Sequence, residues 1–238
     1  MDLCVDCPAL DLPRFLTHSC RVSVWAHVVP VETRSAGLTG SAHWRFSLTT
    51  ILVIYVSDHG STRRAAEAVA EGAERVPGTG VRTRAASSVN RDDLLGADAL
   101  ALGSPVHMGS VHWQMKRFID ETLSGLWTQD LLEGRVGGVF TTGGGFGTAG
   151  GGCELAMLSM LAVLAELGMV LVPLPKTADG FRCGGLHWGP YARCSSDELM
   201  PVLPAAESIT LFKSHGAHIA RVASLLSSRP DRLSVGGG

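Results

Sequence analysis

The sequence predicts an α/β fold, a doubly wound five-stranded parallel sheet with helices on both faces. Three observations lead there. Residues 51–56, Ile-Leu-Val-Ile-Tyr-Val, form an unbroken apolar run suited to a strand buried on both faces. An Ala-rich helical pattern, Arg63 to Ala73, follows after a short polar loop. The same plan of strand, Gly/Ser/Thr/Pro loop and helix recurs at 97–120 and again at 136–167.

The elements follow in order. The first strand is expected at 50–56 and its helix at 62–75. Pro77-Gly78-Thr79-Gly80 marks a turn before a second strand at 81–86. Asn90 or a polar neighbour caps a short helix that ends near Leu95. A third strand at 97–103 leads to a helix at 111–123, and a fourth at 136–142 to a helix at 153–167. The fifth strand is placed at 169–174, followed by an irregular excursion, 175–196, rich in Gly and Pro. The last helix covers 205–227, after Pro201 and Pro204. Parallel connections of this kind give the strand order 2-1-3-4-5, with the switch point between the first and third strands.

Ligands in such sheets sit at the carboxyl ends of the strands, beside the switch point. The first loop there is Ser57-Asp58-His59-Gly60-Ser61-Thr62. It joins a strand to a helix N-terminus, where backbone N–H groups lack intrahelical partners and the dipole is positive. That arrangement holds anions, phosphate above all. A nucleoside triphosphate loop would need a second Gly followed by Lys, and both are missing. Gly145-Phe146-Gly147-Thr148-Ala149-Gly150 spells a dinucleotide fingerprint. It lies on the fourth strand, however, and the next strand ends in Pro175-Lys176 rather than an acid that could hold a ribose. It reads better as a glycine loop whose backbone approaches a ring edge closely.

Taken together, Ser57–Thr62, Gly103-Ser104-Pro105-Val106-His107-Met108-Gly109, Gln114–Asp120 and Phe140–Gly145 resemble the flavodoxin-like flavoprotein family. Within it they resemble the NAD(P)H:quinone oxidoreductases of the tryptophan-repressor-binding-protein type. Gly125-Leu126-Trp127, Gly168–Pro173 and Gly184-Gly185 with Gly189-Pro190-Tyr191 extend the likeness across roughly residues 50–225. The resemblance implies a flavodoxin-like fold, FMN as cofactor and NAD(P)H as electron donor to a quinone-like acceptor. It implies that Ser57, Asp58, His59, Gly60, Ser61 and Thr62 surround the phosphate and ribityl chain. Pro105, Val106, His107, Met108 and Gly109 would lie along the ring. Thr142, Gly143, Gly144, Gly145, Phe146 and Gly147 would reach its other edge. His59 matches a position beside the nicotinamide, and Trp127 one on the acceptor side. The chemistry belongs to the flavin, so no catalytic triad is expected. Arg63 and Arg64 read as a solvated face.

Two departures stand out. Relatives often carry a His near the flavin just before Gly-Met, and Leu167 stands there. The family's long insertion after the second strand, tied to tetramer assembly, is also short here, with only Ser87–Gly96 between strands. A homodimer or a tetramer is the expected assembly. Two rival readings use the same residues: a one-electron flavodoxin-type carrier, and a non-catalytic interaction protein that keeps the fold. The formal net charge of -2 fits poorly with the strong acidity of electron carriers.

Composition narrows the rest. The chain has 238 residues, 45% hydrophobic and 18% charged, enough for one ordinary α/β domain with some chain to spare. A near-neutral charge gives no basic field for nucleic acid. No apolar run reaches the ~20 residues of a membrane span. The six cysteines show no zinc-finger or secreted-disulfide spacing, and Cys4-x-x-Cys7 has no second pair, so no metal is expected. A cytoplasmic location is expected, since residues 1–48 have neither the acid-poor make-up of a transit peptide nor a secretory core.

Residues 1–48 are expected to be a poorly ordered extension, 49–228 the FMN-binding domain and 229–238 a flexible tail. Removing residues 1–48 should therefore leave flavin affinity nearly unchanged in a titration of the truncated protein. A large loss of affinity with the domain still folded would contradict this division.

Overall fold

The computed structural model describes residues 48–145 and 151–227. The expectations for the N-terminal extension, the C-terminal tail, Phe146 and Gly147 lie outside those residues.

β1 (Thr49–Tyr55) leads into α1 (Ser61–Ala73), then β2 (Thr79–Ala85) and the short α2 (Arg91–Leu95). β3 (Ala99–His107) turns back as β4 (Ser110–Val111). α3 (Trp113–Phe118) runs through a π-helical turn, Ile119–Leu123, into α4 (Ser124–Trp127). β5 (Val136–Gly143) is followed by α5 (Cys153–Glu166). Three short strands come next: β6 (Val170–Leu171), β7 (Gly185–Leu186) and β8 (Gly189–Arg193). The last element described is α6 (Ala206–Ser227).

The sheet runs β2-β1-β3-β5-β8-β7, with β4 on β3 and β6 on β5. The expected order is present, and β1, β2, β3 and β5 pair in parallel. β1 is apolar from Ile51 to Ile54 because both faces are covered there. Leu52 and Ile54 join one core with Leu100, Leu102, Met157 and Leu164. Ile51 and Val53 join the other with Val69, Phe140, Phe212 and Ile219.

The fifth strand corrects the sequence reading. In place of one strand at 169–174, two pieces lie against β5. β6 pairs with Val136 and Gly137 at one end. β8 pairs with Thr141, Thr142 and Gly143 at the other. The chain leaves the sheet after Val172 N–H donates to Gly137 C=O, and Leu174 N–H bonds instead to His187 C=O. The excursion thus supplies the strand beside the loop end of β5. β3 is also longer than expected. It continues past Gly103, where pairing with β1 stops, and so tolerates Pro105, which has no N–H to give.

α1 and α6 cross at two glycines. A Cβ on Gly72 would lie 1.9 Å from Lys213 C=O, and one on Gly216 would lie 1.9 Å from Val69 C=O. Any larger residue would push the helices apart. This crossing fixes α1, and with it the loop that precedes α1.

Next to that crossing, His215 is fully buried, and among the described residues neither ring nitrogen meets a hydrogen-bond partner. Burial, with His218 adding to it, pushes its pKa from 6.5 down to about 3. Above pH 6.5 the ring is neutral both folded and unfolded. As pH falls from 6.5 towards 3 the unfolded chain takes up a proton that the folded chain refuses, so stability drops by about 1.4 kcal/mol per pH unit. Urea unfolding at pH 7 and pH 5 should show the native protein losing about 2 kcal/mol more than His215→Leu. Equal losses would show that His215 can be protonated in the folded state.

Candidate functional site

The carboxyl ends of β1, β3 and β5 bring the first three loops of the sequence reading together. They line a cavity of about 140 Å³ with Ser57, Asp58, His59, Ser61 and Thr62 on one side. Pro105, Val106 and His107 lie on a second side, and Thr142, Gly143 and Gly144 on a third. Gly60 belongs to the first loop but lines a neighbouring cavity of about 440 Å³ with Ser57, Asp58 and Arg63.

The first loop is shaped for an anion. Gly60 is the residue before α1 and has φ 87°, a conformation that glycine adopts without strain. No side chain caps α1. α2 and α3 differ: Asn90 and His112 each accept a backbone N–H at the helix start. The first residues of α1, Ser61 and Thr62, line the cavity; the helix start has no side-chain cap, and its dipole adds positive potential. Ser57 Oγ is buried and, among the described residues, has no hydrogen-bond partner. A buried hydroxyl of this kind ordinarily has a partner. A phosphomonoester would satisfy both it and the helix start, so the donor set fits such a group.

The other two hydroxyls of the loop have structural work as well. Thr62 Oγ1 lies 2.8 Å from Thr142 Oγ1 and ties the start of α1 to β5. Ser61 Oγ donates to Val202 C=O at 2.8 Å. That bond draws the segment after β8 over the loop. Sequence reasoning missed the consequence: Cys194, Ser195, Leu199 and Pro201 also line the cavity. Burial pushes the Cys194 thiol up to about 11, so it is an apolar wall rather than a nucleophile. The signal available in the sequence was the run Gly189–Ser195, which reads as a strand once its pairing with β5 is known.

Arg63 pairs with Glu67 at 3.0 Å, and Arg64 with Glu71 at 2.8 Å. Both arginines serve the helix surface, as the sequence implied.

The ring-side residues sit on a tight hairpin. Met108 and Gly109 are its two central residues, with φ 46° and 78°. Positive φ at both positions matches the twist of the flanking strands. Met108 is fully exposed. Gly109 packs on the start of α5, where a Cβ on Gly152 would lie 2.4 Å from Gly109 Cα. Gly145, which opens the glycine loop, is exposed, and Phe146 and Gly147 lie outside the described residues.

Asp58 contacts the neighbouring hairpin. Its Oδ2 lies 3.2 Å from His107 Nε2 and 3.3 Å from His112 Nε2. The two imidazoles thus draw a carboxylate aside from an anion-binding loop, where its charge would repel a phosphate. Burial lowers the pKa of His112; His107 adds to this, and the Asp58 charge opposes it.

Trp127 is not brought to this cavity within one chain. It is half-exposed and lines a separate cavity of about 280 Å³ with Ile119, Leu123, Val163 and Leu167. Leu167 sits just beyond the C-terminal end of α5, while the glycine loop precedes its N-terminal end. A helix of 14 residues is about 20 Å long, so Leu167 does not face the loop cavity of its own chain. The expectation of Leu167 beside the flavin is corrected to that extent.

The comparisons with known proteins agree with the fold. A family model described as a flavodoxin domain matches residues 52–144. A flavodoxin of Aquifex aeolicus (strain VF5) is 42% identical over 121 residues, 51% of this chain and 63% of that protein. A Rhizobium meliloti (strain 1021) protein named NAD(P)H dehydrogenase (quinone) 3 is 32% identical over 203 residues, 75% of this chain and 94% of that protein. Among solved structures, a WrbA-like flavodoxin from Agrobacterium tumefaciens superposes with a TM-score of 0.56 at 25% identity, covering 74% of this chain and 97% of that one.

Proposed function

The chain belongs to the flavodoxin-like flavoprotein family, alongside proteins named NAD(P)H dehydrogenase (quinone), and from this we propose that it is an FMN-dependent oxidoreductase passing two electrons from NAD(P)H to a quinone-like acceptor. One observation carries the cofactor assignment. The uncapped start of α1, with the orphaned Ser57 hydroxyl beside it, lies at the switch point of the sheet. A phosphate there leaves the attached ring to lie between the β3–β4 hairpin and the loop after β5.

Bound flavin would accept a hydride equivalent from the nicotinamide and return two electrons to the acceptor. This chain's residues hold and orient it. The N–H groups of α1 and Ser57 Oγ take the phosphate. Pro105, Val106 and His107 form one wall, and Thr142, Gly143 and Gly144 the other. His59, in the loop, is placed for the nicotinamide side. Among the described residues no helix is long and apolar enough to cross a membrane.

Trp127 takes the acceptor side only if a second copy supplies it, because its own cavity is separate. We therefore place the active site at the interface of a homodimer or tetramer, with Trp127 and Leu167 facing the neighbour's ring.

Heat-released cofactor from the purified protein should co-migrate with FMN, and the loaded protein should oxidise NAD(P)H with a benzoquinone. Trp127→Ala should reduce quinone turnover at least about tenfold, the reach of one well-placed contact, with FMN affinity changed far less. FAD in place of FMN, or no flavin after reconstitution, would refute the cofactor. Equal loss of binding and turnover in the variant would return Trp127 to a purely structural role.

A further inference from the structure

Holding a phosphate and a ring leaves the cluster of Asp58, His107 and His112 unexplained. Both imidazoles point Nε2 at one carboxylate oxygen, and their rings meet edge to face with centroids 4.4 Å apart. The Met108–Gly109 turn makes this possible: His107 ends β3, and His112 follows the returning β4.

The three ligand-type atoms lie within 4.8 Å of one another, a spacing at which two imidazoles and a carboxylate could hold a divalent metal. Hydrogen bonding argues for a different role. Gln114 N–H donates to His112 Nδ1 at 3.1 Å, so that nitrogen presents its lone pair and the ring proton lies on Nε2. A metal needs the lone pair at Nε2, and the other nitrogen of a ligating His normally donates. His112 N–H in turn donates to Ser104 Oγ at 2.9 Å, fixing the backbone that carries the ring. His112 is buried, and burial favours its neutral form. It is a fixed donor to Asp58. His107 differs. Its side chain is 47% exposed, it lines the loop cavity, and among the described residues its Nδ1 has no hydrogen-bond partner.

We propose that His107 is the proton donor to the acceptor, with Asp58 and His112 as the residues that position and charge-balance it. This rests on the reading of the chain as an FMN-dependent quinone reductase. Reducing a quinone to a hydroquinone takes two electrons and two protons. When bound, flavin reduced by NAD(P)H would supply both electrons and one proton as a hydride equivalent. The second proton leaves Nδ1 of the His107 imidazolium and forms an O–H bond on the acceptor. His107 is left neutral, with its remaining proton on Nε2 still facing Asp58. Solvent returns a proton to Nδ1 through the open side of the ring. Asp58 Oδ2, 3.2 Å from His107 Nε2, holds the ring in this orientation, and His112 Nε2, 3.3 Å from the same oxygen, keeps the carboxylate in place.

The test compares two acceptors on flavin-loaded protein in stopped flow. Benzoquinone needs the proton; ferricyanide takes electrons alone. The ratio of the two reoxidation rates should fall about a hundredfold in His107→Asn, the usual contribution of a positioned acid, and fall clearly in Asp58→Asn. The native quinone step should slow in D2O while the ferricyanide step does not. Independently of flavin, the ¹⁵N–¹H spectrum of the apo-protein should show His112 as the Nε2–H tautomer. Ratios within about twofold of native in both variants, or an Nδ1–H tautomer at His112, would overturn the proposal. So would one zinc per chain retained through dialysis, which would make the cluster a metal site. Failure to bind FMN, or to reduce any quinone before mutation, would remove the underlying reading and the proposal with it.

Discussion

Backbone N–H groups at the start of α1 face a cavity with no side chain to accept from them, and most of the site is arranged around that fact. β1 holds the loop at the carboxyl edge of the sheet because it is buried on both faces. The glycine crossing between α1 and α6 fixes the helix axis. Thr62 locks the first turn to β5, and Ser61 locks it to the segment after β8. Each of these contacts constrains the direction in which the N–H groups point. An anion would take the place of a cap there.

An acidic residue in such a loop is an electrostatic contradiction, and its resolution sets this chain apart from a plain phosphate cradle. Asp58 is turned towards two imidazoles on the neighbouring hairpin. The carboxylate thus lies against the β3–β4 hairpin. The same geometry sets Asp58 and His107 3.2 Å apart beside the cavity.

Much of this was legible in the sequence. The period and length of the run at 51–56, the Ala-rich helix after it and the repeated loops fixed the sheet order and three walls of the cavity. What local pattern could not show was pairing across long separations. The apolar residues 169–174 look like a strand because they are buried, but only Val170 and Leu171 pair with β5. Burial and pairing diverge there, since Val172 and Leu174 bury their side chains while the backbone departs. β8 was hidden by its Gly-Pro start, which reads as a turn. With it were hidden Cys194, Ser195, Leu199 and Pro201, and the cover they form over the loop. His112 was passed over because it falls at the edge of a helix pattern. Its role depends on a two-residue turn that brings it back to His107.

The affinity of the apo-protein for FMN relative to riboflavin measures the anion site directly, since the two ligands differ only in the phosphate. Charge-assisted hydrogen bonds contribute about 1.5–3 kcal/mol each, so losing the phosphate should weaken binding by at least about a hundredfold. Calorimetric or fluorescence titration giving riboflavin an affinity within about threefold of FMN would contradict the assignment of the α1 N-terminus as the phosphate site.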